Sequence, residues 1–479
     1  FVIDPQPPYT LDWKGWGPRL AIDYGLSRGT VLHIGAAITT RLPNLWQENF
    51  LTAGIPFVFQ PFVTAQPNVP VPFQNTVVPL TLPQPYDMQG HLIYPNGQTQ
   101  QVRPNTQLDL ARFERDLAVL TPGSEVQLPA AVGLARNLSN GYIPSWRFGL
   151  DHGFAAMDAS ASYVATVGVH LPSVASPNGY QGASPAAAPF TRFDSAGNAV
   201  GGYGPESIIA SASHSSYHSL QTSLSNKRPW DGFQFQASYT YSKSLDDTSA
   251  VLGGLFPSAG VVLQTLPQNP FDPGAEKGPS TFDVTHVLAL SMVEFLPLER
   301  ASFLRPLGKR LTSGWQVLNI TTMTSGSPFS VFSGIQQTGV GGGGTDRPDL
   351  LAKPHFSTSR GNRADYFGRG DNNNTFFFIP INLPGGSGPN HGRFGTLGRN
   401  TFRGPAFKDF DFALIKDTPF GRRGSGELAS IQFRAEFFNL FNIVNFGLPS
   451  NMVNGSGFGV ISKTAGSSRQ IQFSLKLIY

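Results

Sequence analysis

The 479-residue chain contains no cysteine, which excludes disulfide frameworks, thiolate metal sites and cysteine nucleophiles together. Charge is scarce: Asp, Glu, Lys and Arg make up only 13% of the residues. The net charge of +4 and pI near 9.2 are too mild an excess to point to a nucleic-acid partner. No apolar run reaches the roughly 18 residues of a membrane-crossing helix. No H-E-x-x-H metalloprotease motif is present, and no Lys-Ser/Thr pair completes a phosphate-binding loop. The chain opens on Phe1 without a leader-like segment, which reads as processing or as a piece of a longer protein. What is abundant is glycine (53), proline (40) and aromatic side chains (12%), a balance that suits strands and long connections. The mean hydropathy of −0.12 would suggest a soluble protein. That average decides nothing, because strands with one lipid-facing side hide their apolarity in every second residue.

The last eleven residues, Arg469 to Tyr479, make the strand pattern explicit. Ile471, Phe473, Leu475, Leu477 and Tyr479 share one parity; Gln470, Gln472, Ser474 and Lys476 share the other, and only Ile478 departs. A two-residue period is that of a strand, whose successive side chains point to opposite faces. The length matches a membrane strand of about 9–11 residues.

The same alternation recurs along the chain. It predicts a hairpin from Arg19–Tyr24 and Thr30–Ile38 around a Gly25–Gly29 turn, then strands at Trp146–Leu150 and Met157–Val167 about Ala155. Leu220–Leu224 and Phe233–Tyr241 form a third hairpin about Trp230; His286–Phe295, whose parity is poor, precedes Trp315–Thr324. Phe410–Leu414 and Ile431–Phe437, joined near Arg423, lead to the final strand. The 11 strands have connections that alternate strictly in length. Short ones centre on Ser27, Ala155, Trp230, Phe303 and Arg423. Long ones are Thr39–Gly141, Leu171–Ser213, Leu245–Val284, Ser325–Phe407 and Asn442–Ser468, the first with a short helix over Thr106–Leu120. Short turns at one end and long loops at the other characterise an outer-membrane barrel. The expected fold is therefore all-β, an antiparallel transmembrane barrel portion. Three short turns carry Lys227-Arg228, Arg300 with Arg305, Lys309 and Arg310, and Arg422-Arg423. These suit anionic headgroups, and equally the ordinary solvation of turns.

Several stretches are similar to one family. S-Y-H-S-L-Q-T-S-L-S-N-K-R (Ser216–Arg228) with F-Q-F-Q-A-S-Y-T-Y-S-K-S-L-D-D (Phe233–Asp247) resembles a barrel hairpin of TonB-dependent outer-membrane receptors of the Oar-like type. F-D-V-T-H-V (Phe282–Val287), G-W-Q-V (Gly314–Val317), S-G-S-P-F (Ser325–Phe329), G-R-N-T-F-R-G-P-A-F-K-D-F-D (Gly398–Asp411) and R-A-E-F-F-N-L-F-N-I-V-N-F-G (Arg434–Gly447) resemble it too. The resemblance implies a barrel of about 22 strands around a plug, driven through a TonB box by an inner-membrane complex. No plug, TonB box or regulatory-like domain is found between Phe1 and Tyr479, so residues 1–479 are expected to be the C-terminal half of such a barrel. The partners implied are outer-membrane lipid, the missing barrel half and plug, the TonB complex and the barrel-assembly machinery. The last would read Phe473, Leu475, Leu477 and Tyr479.

Chemistry elsewhere has weak support, and no catalytic residue or cofactor is expected. Gly25-Leu26-Ser27-Arg28-Gly29 fits G-x-S-x-G, but a strand rather than a helix follows it, so a hairpin turn is the reading. Gly339–Gly344 reads as a flexible loop tip. His214 and His218 share a face without a third ligand nearby and suit a hydrogen-bonding or interfacial pair. Asp246-Asp247 and Asp371–Asn374 offer oxygen ligands for calcium, with solvated loop carboxylates as the default. The expected lumen-facing side chains are Gln234, Gln236, Asp411, Gln432, Arg434, Glu436, Gln472 and Lys476, opposite outward odd-numbered residues such as Phe235 and Phe433. An outer-membrane receptor that moves a ligand is the function implied. An outer-membrane adhesion protein and a secreted glycan-binding β protein are the alternatives.

Overall fold

The computed structural model describes residues 15–41, 91–93, 99–101, 132–135, 138–175, 178, 188–193, 199–202, 207–229, 232–249, 267–269, 272–334, 338, 346–356, 365–368, 376–378, 393–422 and 428–478. Thr106–Leu120, Trp230, Gly339–Gly344, Asp371–Asn374, Arg423 and Tyr479 lie outside the described residues.

One sheet organises the chain. Its strands are β1 (Arg19–Ser27), β2 (Thr30–Arg41), β3 (Gly141–Phe154), β4 (Met157–Ala175), β5 (Ser207–Asn226) and β6 (Phe233–Asp246). They continue as β7 (His286–Leu296), β8 (Trp315–Thr324), β9 (Phe407–Arg422), β10 (Leu428–Phe438) and β11 (Gln470–Ile478). Each lies antiparallel beside the next in sequence, an up-and-down order without crossovers. Val132–Leu134 and Gly278–Pro279 add short pieces to β5 and β6. The short connections, 28–29, 155–156, 227–232, 297–314 and 423–427, therefore share one end of the sheet, and the long ones share the other. No described helix is long and apolar enough to cross a membrane.

Most strands run longer than the sequence expectation, whereas the last begins one residue later, at Gln470. β4 and β5 run 19 and 20 residues, past Leu171 and upstream of Ser213, so the loop between them is shorter than its composition suggested. Alternation marks only the part of a strand with one apolar side; beyond it the ladder continues through Ser, Ala and His without a pattern to follow. In the first hairpin, Gly25–Ser27 belong to β1, and the turn shrinks to Arg28-Gly29, with Gly29 at φ 86. Two-residue hairpin turns need such left-handed backbone, which glycine adopts at no steric cost. Ser27, the would-be nucleophile, hydrogen-bonds the Thr30 hydroxyl across this turn at 2.9 Å.

Register carries one parity across the whole sheet. The cross-strand row Gln234, Val293, Leu318, Ala413, Glu436, Gln472 runs unbroken from β6 to β11. The next residue on each strand gives the opposite row Phe235, Met292, Asn319, Phe412, Phe437, Ile471. Directly opposed residues share a face, so the first row belongs to a polar face and the second to an apolar one. Further along the apolar face, Ile22, Ile34, Phe148, Tyr163, Leu220 and Tyr241 make another row. Many of these side chains are open to the surroundings, Phe473 by 66% and Leu475 by 74%. The weak parity of β7 has a local cause: Val287, Ala289 and Val293 lie on the polar face, so this strand is apolar on both sides.

β1 pairs only with β2 and β11 only with β10, so the sheet stays open, with its two edges unjoined among the described residues. Gly314, which ends the connection into β8, has φ 76, and a Cβ there would stand 2.2 Å from the Asp417 carbonyl oxygen. Gly314→Ala is expected to cost about 1–3 kcal/mol and to lower the heat-modifiable folded fraction in outer membranes. Gly25→Ala, with nothing within 4 Å, should leave that fraction unchanged.

Candidate functional site: the polar sheet face and the loop body

All eight polar side chains expected on one side do share a face. Gln234 and Gln236 stand on β6, three strands from β9. Asp411, Gln432, Arg434, Glu436, Gln472 and Lys476 gather on β9–β11, where Lys476 opposes Gln432 and Gln472 opposes Glu436. Arg434 and Glu436, two apart on one strand, form an ion pair at 2.9 Å. Gln432 Nε2 donates to Asp417 Oδ1 at 3.0 Å. Asp411 has a structural task, since its Oδ1 accepts the Asn439 N–H at 3.0 Å where β10 ends.

Above the long-loop end of this face the connections fold into a body of their own. Its core holds Phe329, Phe367, Phe377, Phe402 and Phe458 with Val331, Leu397 and Ile461, drawn from the 325–406 and 439–469 connections and from no strand of the sheet. Phe367 stacks on Phe458 at 4.9 Å and meets Phe377 edge-on at 5.5 Å, arrangements that aromatic quadrupoles favour.

Three arginines of the 325–406 connection tie this body to β6 and to the loop after it. The Arg347 guanidinium donates to both oxygens of Glu276, at 2.8 and 3.0 Å, with 4% and 1% of the two side chains exposed. The remaining groups are also satisfied: Arg347 Nε donates to the Leu397 carbonyl at 2.7 Å, and Glu276 Oε1 accepts the Gln268 N–H at 3.0 Å. Arg399 pairs with Asp246, at the end of β6, and its Nε donates to the Glu276 carbonyl at 2.9 Å. Arg403 pairs with Asp283, whose Oδ1 accepts the Ser244 N–H of β6 at 2.5 Å. Ser244 and Asp246 have the parity of Gln234, so the body is moored to the polar side of the wall.

These contacts correct the expectation for Asp246. It is a buried carboxylate paired with arginine, neither a solvated loop acid nor a free calcium ligand. Asp247 is likewise engaged, by the Ser213 hydroxyl and the His214 N–H. His214 lies 3.5 Å from Asp247, while His218 takes a hydrogen bond with Tyr163, so the two histidines have separate partners. Glu276, Asp283, Arg347, Arg399 and Arg403 are the functional residues that sequence reasoning missed. Asp283, Arg399 and Arg403 sat inside stretches that showed the family resemblance, F-D-V-T-H-V and G-R-N-T-F-R, without a stated role.

Two further groups tune the body. The Arg393 guanidinium, hydrogen-bonded to Asp349 at 2.5 Å, holds that carboxyl below its ordinary range. Burial pushes the Tyr366 phenol up to about 12, and its hydroxyl donates to the Arg403 carbonyl at 2.6 Å.

Residues 4–472 match the outer membrane β-barrel domain family. The chain belongs to that family. The barrel strands accordingly reside in the bacterial outer membrane. Among solved structures, the barrel chain aligns with the outer membrane transporter YddB from Escherichia coli at 10% identity and a TM-score of 0.41, covering 94% of this chain and 38% of that one. It aligns with the siderophore receptor PirA from Acinetobacter baumannii at 9% identity and a TM-score of 0.42, covering 96% and 40%. It thus spans about two fifths of the length of either. No curated protein sequence matches the barrel chain.

Removing one partner of a buried ion pair strands the other, at about 3–5 kcal/mol, whereas replacing both with apolar groups is often neutral. Arg347→Met should therefore open the 325–406 connection to protease while the sheet stays heat-modifiable, and Arg347→Met with Glu276→Leu should restore much of the resistance. The raised Tyr366 pKa means that its contribution is intact below pH 10 and lost as pH climbs through about 12. Near-ultraviolet circular dichroism should show the body loosening across that window, a component that Tyr366→Phe should remove.

Proposed function

We propose that the chain is the C-terminal half of the wall of a TonB-dependent receptor of the Oar-like type, which moves a ligand across the outer membrane and catalyses no reaction. The observation that carries this reading is the two-faced sheet, with a folded loop body moored on its polar side. Gln234, Gln236, Asp411, Gln432, Arg434, Glu436, Gln472 and Lys476 then line the lumen or meet a plug. The apolar face meets lipid, where charge near the midplane would cost about 2–4 kcal/mol.

The open edges support a longer barrel. Eleven antiparallel strands leave β1 and β11 running the same way, so they do not close the even-numbered antiparallel ring of single-chain bacterial barrels. An unpaired edge in hydrocarbon is costly, which favours further strands between them. Phe473, Leu475, Leu477 and Tyr479 would present the terminal signal to the assembly machinery, and TonB would act through an upstream plug.

The loop body favours a second reading, adhesion, because a preformed aromatic-cored head can hold a surface partner without transport. The gene product expressed from its own locus separates the two. The transport reading expects an upstream plug segment and retention of the detergent-solubilised protein by the immobilised periplasmic domain of TonB. A product that lacks the plug and passes through unretained would leave adhesion as the function.

A further inference from the structure

On the apolar face, a tyrosine–histidine pair occurs twice. Tyr163 of β4 and His218 of β5 stack with centroids 6.2 Å apart and share a hydrogen bond of 2.7 Å between Oη and Nδ1. Tyr239 of β6 and His286 of β7 repeat this at 6.2 and 2.8 Å, and Tyr241 lies 5.2 Å from the same imidazole. Lys243 stands directly across from His218 on the neighbouring strand. All six side chains are exposed.

Their height along the sheet gives the patch its meaning. From Phe233, at the short-turn end of β6, to Lys243 is ten residues, a rise of about 25 Å at roughly 3.4 Å per residue and a tilt near 40°. That is about the height of a barrel's apolar band. Lys243 therefore sits where acyl chains give way to headgroups, in the leaflet on the long-loop side, with the tyrosines just beneath it. A phenol that donates to Nδ1 leaves the imidazole proton on Nε2. Each histidine then presents one N–H donor beside a full positive charge. Asp247, the carboxylate further out on this face, is already engaged by Ser213 and His214. The patch offers donors and a cation to whatever borders it.

We propose that this patch binds the phosphorylated sugar headgroup of an outer-leaflet glycolipid, with Lys243 on the phosphate and the Nε2–H groups of His218 and His286 donating to phosphate or sugar oxygens. The inference rests on the apolar face meeting lipid, and it does not depend on transport.

The test uses protein extracted from outer membranes, stripped of lipid by detergent exchange and offered lipid A, phosphatase-treated lipid A or phosphatidylglycerol, with bound lipid read by native mass spectrometry. Phosphorylated lipid A should be retained, and Lys243→Gln with His218→Gln should weaken retention about tenfold, as loss of charge-assisted hydrogen bonds implies. Heat-modifiability identical to the parent confirms that the variant is folded. Equal retention of the treated and untreated glycolipid, equal retention of phosphatidylglycerol, or an unaffected variant would overturn the site. Quenching of Trp146 fluorescence by brominated acyl chains, taken as the difference from Trp146→Phe, tests separately whether the face lies in lipid. Its failure would instead sink the wall orientation.

Discussion

A peptide group in hydrocarbon has no water to turn to, and this structure follows from meeting that demand strand by strand. Each of the eleven strands satisfies its neighbour through an antiparallel ladder, and the ladder fixes which side every residue shows. A slip of one residue between β8 and β9 would turn β9–β11 over together and carry Arg434 and Glu436 onto the side of Phe235 and Met292. The irregularities in register keep away from that risk. They occur between Gly25 and Ser27, between Ala210 and Ser215, and between Pro419 and Gly421, near strand ends rather than in the central band.

The usual distribution of burial is inverted as a consequence. A soluble domain packs its apolar residues between layers; here the sheet turns them outward, and the closely packed aromatic core lies in the connections beyond it. That core has little secondary structure to organise it, so the arginine–carboxylate pairs define its shape. Such pairs contribute little net stability, because desolvation offsets most of the attraction. They do specify one arrangement, since each arginine finds only one buried carboxylate.

How far the sequence could be read follows from the same physics. A lipid-facing band imposes a period of two, so Phe233–Tyr241, Ile431–Phe437 and the terminal strand declared both their structure and their parity. β7 did not, because apolar residues on both of its faces erase the alternation. The eight polar positions were legible as a set through parity, although parity says nothing of Asp411 serving the turn at Asn439. The loop body was not legible. Its aromatic residues arrive one or two at a time from isolated segments, and Glu276–Arg347 and Asp283–Arg403 join residues 71 and 120 positions apart. No local pattern encodes such separations. Similarity to a family marked those stretches as important without saying why, and the ion pairs supply the reason.

The mooring of Arg399 to Asp246 spans 153 positions, whereas the hairpins close over a few. Loop closure grows costlier with separation, and contacts of long range form late in folding. The wall's own long pairings carry a similar cost, since β2 meets β3 through Thr30 and His152, 122 positions apart, so wall and body face one closure problem. An arginine and an aspartate thus close a loop on the scale of those that the sheet itself must close.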